Sequence, residues 1–162
     1  FAADMVDGKI TWEEGHVAAA IFFERRQQFD KTEKEYKSLI NQIPLNVSAY
    51  LLLGQLYLRQ GKNEEAAGIL FASTKIEETF FANRALGTLA LDPKDAIPFF
   101  ERALALSTAT REKTEVGFLL SDAYNRDGKV GRAVAQLRQV LEWTPGYAPA
   151  QTLFQQLNSR HH

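Results

Sequence analysis

The feature that most constrains this chain is an internal repeat. Residues 52–70 align with residues 119–137 at a separation of 67, and eight of the 19 aligned pairs are identical. The identical pairs are Leu52/Leu119, Leu53/Leu120, Tyr57/Tyr124, Arg59/Arg126, Gly61/Gly128, Lys62/Lys129, Ala66/Ala133 and Leu70/Leu137. Because 67 is one residue short of two periods of 34, a further unit is expected between the two copies. Repeats of this length are typical of solenoids, in which each unit packs only on its neighbours.

Each unit carries residues in a fixed order. The second unit has Tyr50, Leu53-Gly54, Tyr57, Gly61, Ala66, Leu70 and Ser73, with Glu78 where others have proline; the fourth has Gly117, Leu120-Ser121, Tyr124, Gly128, Ala133, Leu137, Val140 and Pro145. This order resembles the tetratricopeptide repeat (TPR) family. The resemblance implies an all-α fold, an α-solenoid of antiparallel helix pairs with about four TPR-like units and a C-terminal capping helix, wound as a right-handed superhelix.

The repeat register also predicts how the chain is divided. The TPR-like domain is expected at residues 11–146, with units at about 11–45, 46–78, 79–109 and 110–146. Residues 147–162 are expected to form the capping helix and a tail. Residues 1–10 are interpreted as an N-terminal extension or the remnant of a preceding segment, and His161 and His162 as the remnant of a purification tag.

Local signals predict where several helices begin and end. Thr11 and Glu14 form the capping-box pattern, in which each side chain bonds to the backbone of the other residue. Asp30, Asn63 and Asp95 are expected to cap the second helices of the first three units, which would place Pro98 in a first turn. Gly61 and Gly128 are expected to end first helices in the left-handed conformation.

Composition argues against most kinds of chemistry. The chain has no cysteine, and His16 is its only histidine apart from the last two residues, so it lacks the side chains for a thiolate zinc site or a catalytic triad. Its net charge of -1 is unlike that of domains that bind nucleic acid through a basic excess. The longest apolar run, Val17 to Phe23, is far shorter than a membrane-spanning helix. We therefore expect no enzyme activity, cofactor, metal site, nucleic-acid partner or membrane span.

The remaining candidate is the surface formed by the first helices. In the TPR family, set positions of each first helix line a concave groove, and the resemblance assigns ten residues of this chain to it. They are Val17, Ile21, Arg25, Leu51, Gln55, Arg59, Arg84, Phe118, Asp122 and Arg126.

Two features of this set suggest a ligand. Arg25, Arg59 and Arg126 recur at one repeat position and form a ladder of basic residues that Arg84, from another position of its unit, can join. Val17, Leu51 and Phe118 recur at a second position as an apolar stripe. Guanidinium groups beside apolar side chains suit a peptide with carboxylates and apolar anchors. The alternative is that each arginine sits in the last turn of its helix only to offset the helix dipole. The lysine and asparagine with which the family's chaperone-tail subgroup grips a terminal carboxylate are absent, since Val17 and Ile21 occupy those positions.

The sequence therefore predicts a non-catalytic module that binds a protein or peptide in its groove as a scaffold or adaptor. Two alternatives stay open: a regulatory or recruiting TPR region of a larger enzyme or secretion or assembly machine, and an array that self-associates. A homo-oligomer is compatible with the sequence. The sequence leaves the compartment open, since the lack of cysteine is compatible with a bacterial cytoplasm or periplasm.

Overall fold

The structure is a computed structural model, and it describes residues 11–159. Within this range the chain forms nine α-helices and no β-strand. The helices are α1 (Trp12–Arg25), α2 (Phe29–Gln42), α3 (Val47–Arg59), α4 (Asn63–Thr74), α5 (Phe80–Leu89), α6 (Pro93–Leu106), α7 (Thr110–Arg126), α8 (Val130–Trp143) and α9 (Ala148–Ser159). The predicted N-terminal extension at 1–10 and the predicted tag remnant lie outside the described residues.

The start of α1 follows the predicted capping box. The backbone amide of Glu14 donates to the Thr11 hydroxyl at 3.2 Å, and the Thr11 amide donates to the Glu14 carboxylate at 2.8 Å. These hydrogen bonds hold the pKa of the Glu14 carboxyl below its usual value. The prediction for this helix start is confirmed.

Three other predicted caps are wrong, because the helices begin earlier than expected. Asp30 and Asn63 lie inside the first turns of α2 and α4, which start without a side-chain cap. Helix α6 is capped by Asp92 rather than Asp95, and the Asp92 side chain accepts a hydrogen bond from the Lys94 amide at 2.8 Å. Proline at the first helical position loses no hydrogen bond, so α6 starts at Pro93, and Pro98 lies beyond its first turn.

Three first helices end in the same backbone conformation. Gly61 and Gly128 have φ angles of 70° and 74°, as predicted. Gln27, which the repeat register places in the same slot, has a φ angle of 58°. Residues with a Cβ adopt this left-handed conformation only at a cost, so the first repeat carries a strain that the other two avoid.

The chain divides into two compact units at Glu77 and Glu78, and each has its own interior. In unit 1, helices α1 to α4 pack in sequence order, and its most deeply buried large side chains are Tyr36, Leu39, Leu53, Leu56 and Leu70. In unit 2, helices α5 to α9 pack in the same order around Phe100, Leu120, Tyr124, Leu137 and Leu157. Assignment of the repeat boundaries stays a prediction. None of the helices in residues 11–159 has the length and apolar character needed to cross a bilayer.

Glycine allows the two helices of a repeat to touch. A Cβ at Gly54 in α3 would lie 2.5 Å from Cδ2 of Leu70 in α4, and one at Gly87 in α5 would lie 2.6 Å from Cε1 of Phe100 in α6. Such distances are well inside van der Waals contact. The large side chain of the second helix therefore occupies the space that the glycine leaves free.

Candidate functional site

Two of the first helices are each fixed to the second helix of the preceding repeat by a tyrosine. The Tyr57 hydroxyl of α3 donates to the Glu33 carboxylate of α2 at 2.9 Å, and the Tyr124 hydroxyl of α7 donates to Glu101 of α6 at 2.5 Å. Burial, together with the adjacent carboxylate, raises the pKa of both tyrosines. The two phenols therefore stay protonated donors at neutral pH.

In unit 1, six of the predicted residues lie on the first helices α1 and α3. We call them the unit 1 face: Val17, Ile21, Arg25, Leu51, Gln55 and Arg59. Val17 and Leu51 are half-buried, whereas Ile21 is 43% exposed and the three polar residues are exposed. Apolar side chains on both helices thus reach solvent beside polar ones, a composition that suits a peptide surface.

Arg59 of the unit 1 face already holds a carboxylate of the protein itself. Its guanidinium pairs with Glu24 at the end of α1, which joins the two first helices at this point. The pair faces the buried Tyr36, whose pKa is raised by burial first and by the charge of Glu24 second, while the Arg59 charge lowers it. Because Arg59 is about half exposed, such a pair contributes about 0–1 kcal/mol.

The remaining four predicted residues lie in unit 2. We call them the unit 2 face: Arg84 on α5, with Phe118, Asp122 and Arg126 on α7. Arg84 pairs with Glu115 of α7, so in unit 2 an ion pair also joins two first helices. The ring of Phe118 meets the ring of Tyr147 edge to face, with centroids 5.7 Å apart, and Phe118 is half-buried like Val17 and Leu51 at the same repeat position.

The arginines of the predicted set therefore fall into two kinds. Arg59 and Arg84 are held by carboxylates from a neighbouring first helix. Arg25 and Arg126 are exposed, and no carboxylate oxygen within residues 11–159 lies within 4.0 Å of either side chain. Of the four predicted arginines, Arg25 and Arg126 are thus the two without an ion pair in residues 11–159.

His16 is part of the packing between α1 and α2. Its Nδ1 lies 2.5 Å from Oε2 of Glu35, and its ring lies 4.0 Å from the ring of Trp12. Within the described part of the chain, no three histidine or acidic side chains come together in a way that could hold a metal ion. The contacts of His16 are thus packing contacts between two helices.

Comparison with known proteins identifies the repeat. The family model described as "Tetratricopeptide repeat" matches residues 15–77. Residues 15–77 carry tetratricopeptide repeats. The search of curated proteins found no match.

Solved TPR structures share the fold of the whole described chain. YrrB, titled "a TPR protein with an unusual peptide-binding site", is 21% identical, with 90% of this chain and 76% of YrrB covered and a TM-score of 0.77. MamA is 20% identical, with 91% and 81% covered and a TM-score of 0.79. TTC0263 from Thermus thermophilus is 18% identical, with 91% and 81% covered and a TM-score of 0.59. The predicted all-α TPR fold is confirmed.

Two residues that contribute to the surfaces of the first helices were not predicted from the sequence. Tyr147 covers Phe118 from the turn before α9, and its only sequence signal is that it is an aromatic residue in a turn. Phe22 is half exposed on α1, although an apolar run such as that from Val17 to Phe23 usually indicates a buried segment. The repeat register gave no sign of this exposure, since it aligns Phe22 with Leu56, which is fully buried.

Proposed function

We propose that the chain is a non-catalytic scaffold that binds a segment of a partner protein on its first-helix faces. TPR repeats are protein-interaction modules in general, and the fold supports that broad role. The observation that carries the finer proposal is the composition of the unit 1 face. Val17 on α1 and Leu51 on α3 lie at the same repeat position of successive first helices. Both are partly exposed apolar residues, and Ile21 and Arg25, which are exposed, follow Val17 on α1.

The ligand best suited to this surface is a peptide with apolar anchors and at least one carboxylate. The apolar anchors would pack on Val17 and Leu51, and a carboxylate would bind the two-pronged guanidinium of Arg25. Arg59 and Arg84 are assigned a structural role instead, because their intramolecular carboxylates would have to be displaced first. YrrB supports the proposal, since it is a TPR protein of similar fold that is described as having a peptide-binding site.

The proposal is tested by blocking the faces. A displayed peptide library is selected on the full chain, and the affinity of the enriched peptides is measured by fluorescence polarisation. Gln55→Trp and Asp122→Trp place a large side chain at the same repeat position of the unit 1 face and the unit 2 face. Gln42→Trp, at an exposed site at the end of α2, is the matched control.

We expect one of the two blocking variants to lose at least about tenfold in affinity, since interface centres carry most of the binding energy, while Gln42→Trp binds as the wild type does. Circular dichroism must show that each variant keeps its helix content. The proposal is wrong if the enriched peptides bind both blocked variants normally, or if no peptide is enriched.

A further inference from the structure

A second apolar surface lies on α1, next to the side that carries Val17 and Ile21. We call it the α1 end face: Ala18, Ala19, Phe22 and Phe23, which line an apolar cleft of about 390 Å³. Phe22 is 50% exposed, and its ring meets that of Phe23 edge to face at 5.5 Å. Full burial of a Phe side chain stabilises by about 1.5–3 kcal/mol. Covering the exposed half of Phe22 would therefore contribute favourably to binding.

The repeat register shows which kind of element covers this surface elsewhere in the chain. A shift of 34 residues aligns Phe22 with Leu56 of α3, and a further 67 aligns it with Ala123 of α7. Leu56 is 0% exposed and Ala123 is 2% exposed. In both cases the preceding second helix, α2 or α6, packs on the first helix. The α1 end face is therefore shaped to receive a helix.

The charge next to this surface indicates what that helix carries. Arg25 and Arg26 line an adjoining cleft of about 480 Å³ together with Ile21, and the Arg26 guanidinium stacks 3.8 Å from the centre of the Phe22 ring. Neither arginine has a carboxylate oxygen within 4.0 Å in the described part of the chain. Two exposed cations beside an apolar cleft complement an occupant with carboxylates at the edge of its apolar stripe.

We propose that the α1 end face docks an acidic amphipathic helix of a partner protein. The apolar stripe of that helix covers Phe22 and Ala18, and its flanking carboxylates pair with Arg25 and Arg26. The same mode of recognition, an amphipathic helix laid on an apolar groove, is common among protein interactions. This site adjoins the unit 1 face and shares Arg25 with it, but its apolar part is different, because Phe22 lies at the repeat position that is buried in α3 and α7.

The test uses two synthetic peptides of about four helical turns each. The acidic probe has leucines at helical spacing on one face and glutamates beside them; the basic probe has the same leucines with lysine for every glutamate. Binding to the full chain is measured by isothermal titration calorimetry. The expected result is that the acidic probe binds, more weakly as salt is raised, and that the basic probe does not.

Two serine variants locate the site. Phe22→Ser removes the aromatic group of the α1 end face, and Phe71→Ser is the matched control in α4. The two phenylalanines are 50% and 46% exposed, and each has a cation over its ring, Arg26 for Phe22 and Lys75 for Phe71. We expect Phe22→Ser to weaken binding of the acidic probe about tenfold or more and Phe71→Ser to leave it unchanged.

Several outcomes would overturn the proposal. They are the absence of binding by the acidic probe, equal binding of both probes, and equal affinity of the wild type and Phe22→Ser. Sedimentation velocity adds another: a wild-type dimer that dissociates in Phe22→Ser would assign the α1 end face to a second copy of this chain. The Gln55→Trp variant separates this test from the previous one, because it should bind the acidic probe as the wild type does.

Discussion

Replacing Gly54 by alanine tests whether α3 and α4 are in contact where the structure places them. The new Cβ would lie 2.5 Å from Cδ2 and 2.7 Å from Cγ of Leu70. Leu70 is 0% exposed, so it cannot move aside into solvent. Forcing an extra methyl group into a packed interior typically costs about 1–3 kcal/mol.

A second alanine substitution supplies the reference. Gly68 lies within α4, and a Cβ there would meet no atom within 4 Å. Gly68→Ala therefore gains only the helix preference of alanine over glycine, about 0.5–1 kcal/mol. Gly54→Ala gains the same amount and also incurs the overpacking cost. The two variants should consequently differ by about 1–3 kcal/mol in the free energy of unfolding, with Gly54→Ala the less stable.

The assay is urea unfolding of the full chain followed by circular dichroism, with the slope of the transition compared between variants. Gly54→Ala combined with Leu70→Val checks the cause: shortening the clashing side chain should make the pair of changes less destabilising than the sum of the single ones. If Gly54→Ala stabilises the chain as much as Gly68→Ala does, the two helices are not in contact at Gly54, and the argument for small residues at helix crossings fails.

Two further predictions concern the turn after α1 and the carboxylate that holds Tyr57. Gln27→Gly should raise the free energy of unfolding by up to about 1 kcal/mol, since glycine relieves the left-handed strain but has a larger unfolded-state entropy; urea unfolding that shows a loss of stability would contradict this. The hydrogen bond from Lys37 is the main cause that keeps the pKa of Glu33 below its usual 4.5, and that from Tyr57 adds to it. Because the pKa of Glu33 is lower in the folded state, its contribution to the free energy of unfolding is complete above pH 4.5 and is lost as pH falls through the folded-state pKa. The free energy of unfolding, measured across that pH range, should therefore depend less on pH in Glu33→Gln than in the wild type.

The fold could be predicted largely because its determinants are local and periodic. The spacing of Gly61 and Gly128 marked the ends of first helices, and both have the expected positive φ. Helix starts were harder to predict, since several residues near a start can act as caps. Asp95 has the right chemistry for capping α6, but Pro93 allows the helix to begin at the earlier Asp92. Both residues are aspartates, so residue type alone does not choose between them.

The site could be predicted only in part, because its charges depend on distances between helices. The repeat register placed Arg59 and Arg84 on the surface, but it contained no sign that Glu24 and Glu115 would reach them. Those pairs join residues from different repeats, so a search for recurring residues at one position does not detect them. The sequence pattern that would have indicated these ion pairs is an acidic residue on the adjoining first helix, facing each arginine.

The tyrosine hydrogen bonds also affect how the chain can fold during its synthesis. Tyr57 and Glu33 are 24 residues apart in sequence, and Tyr124 and Glu101 are 23 apart. Proteins dominated by such short-range contacts close small loops and fold rapidly. Each of these bonds needs only the preceding helix to have left the ribosome, so a growing chain can add finished helical hairpins one at a time, from the N-terminus onward, without waiting for its last residue.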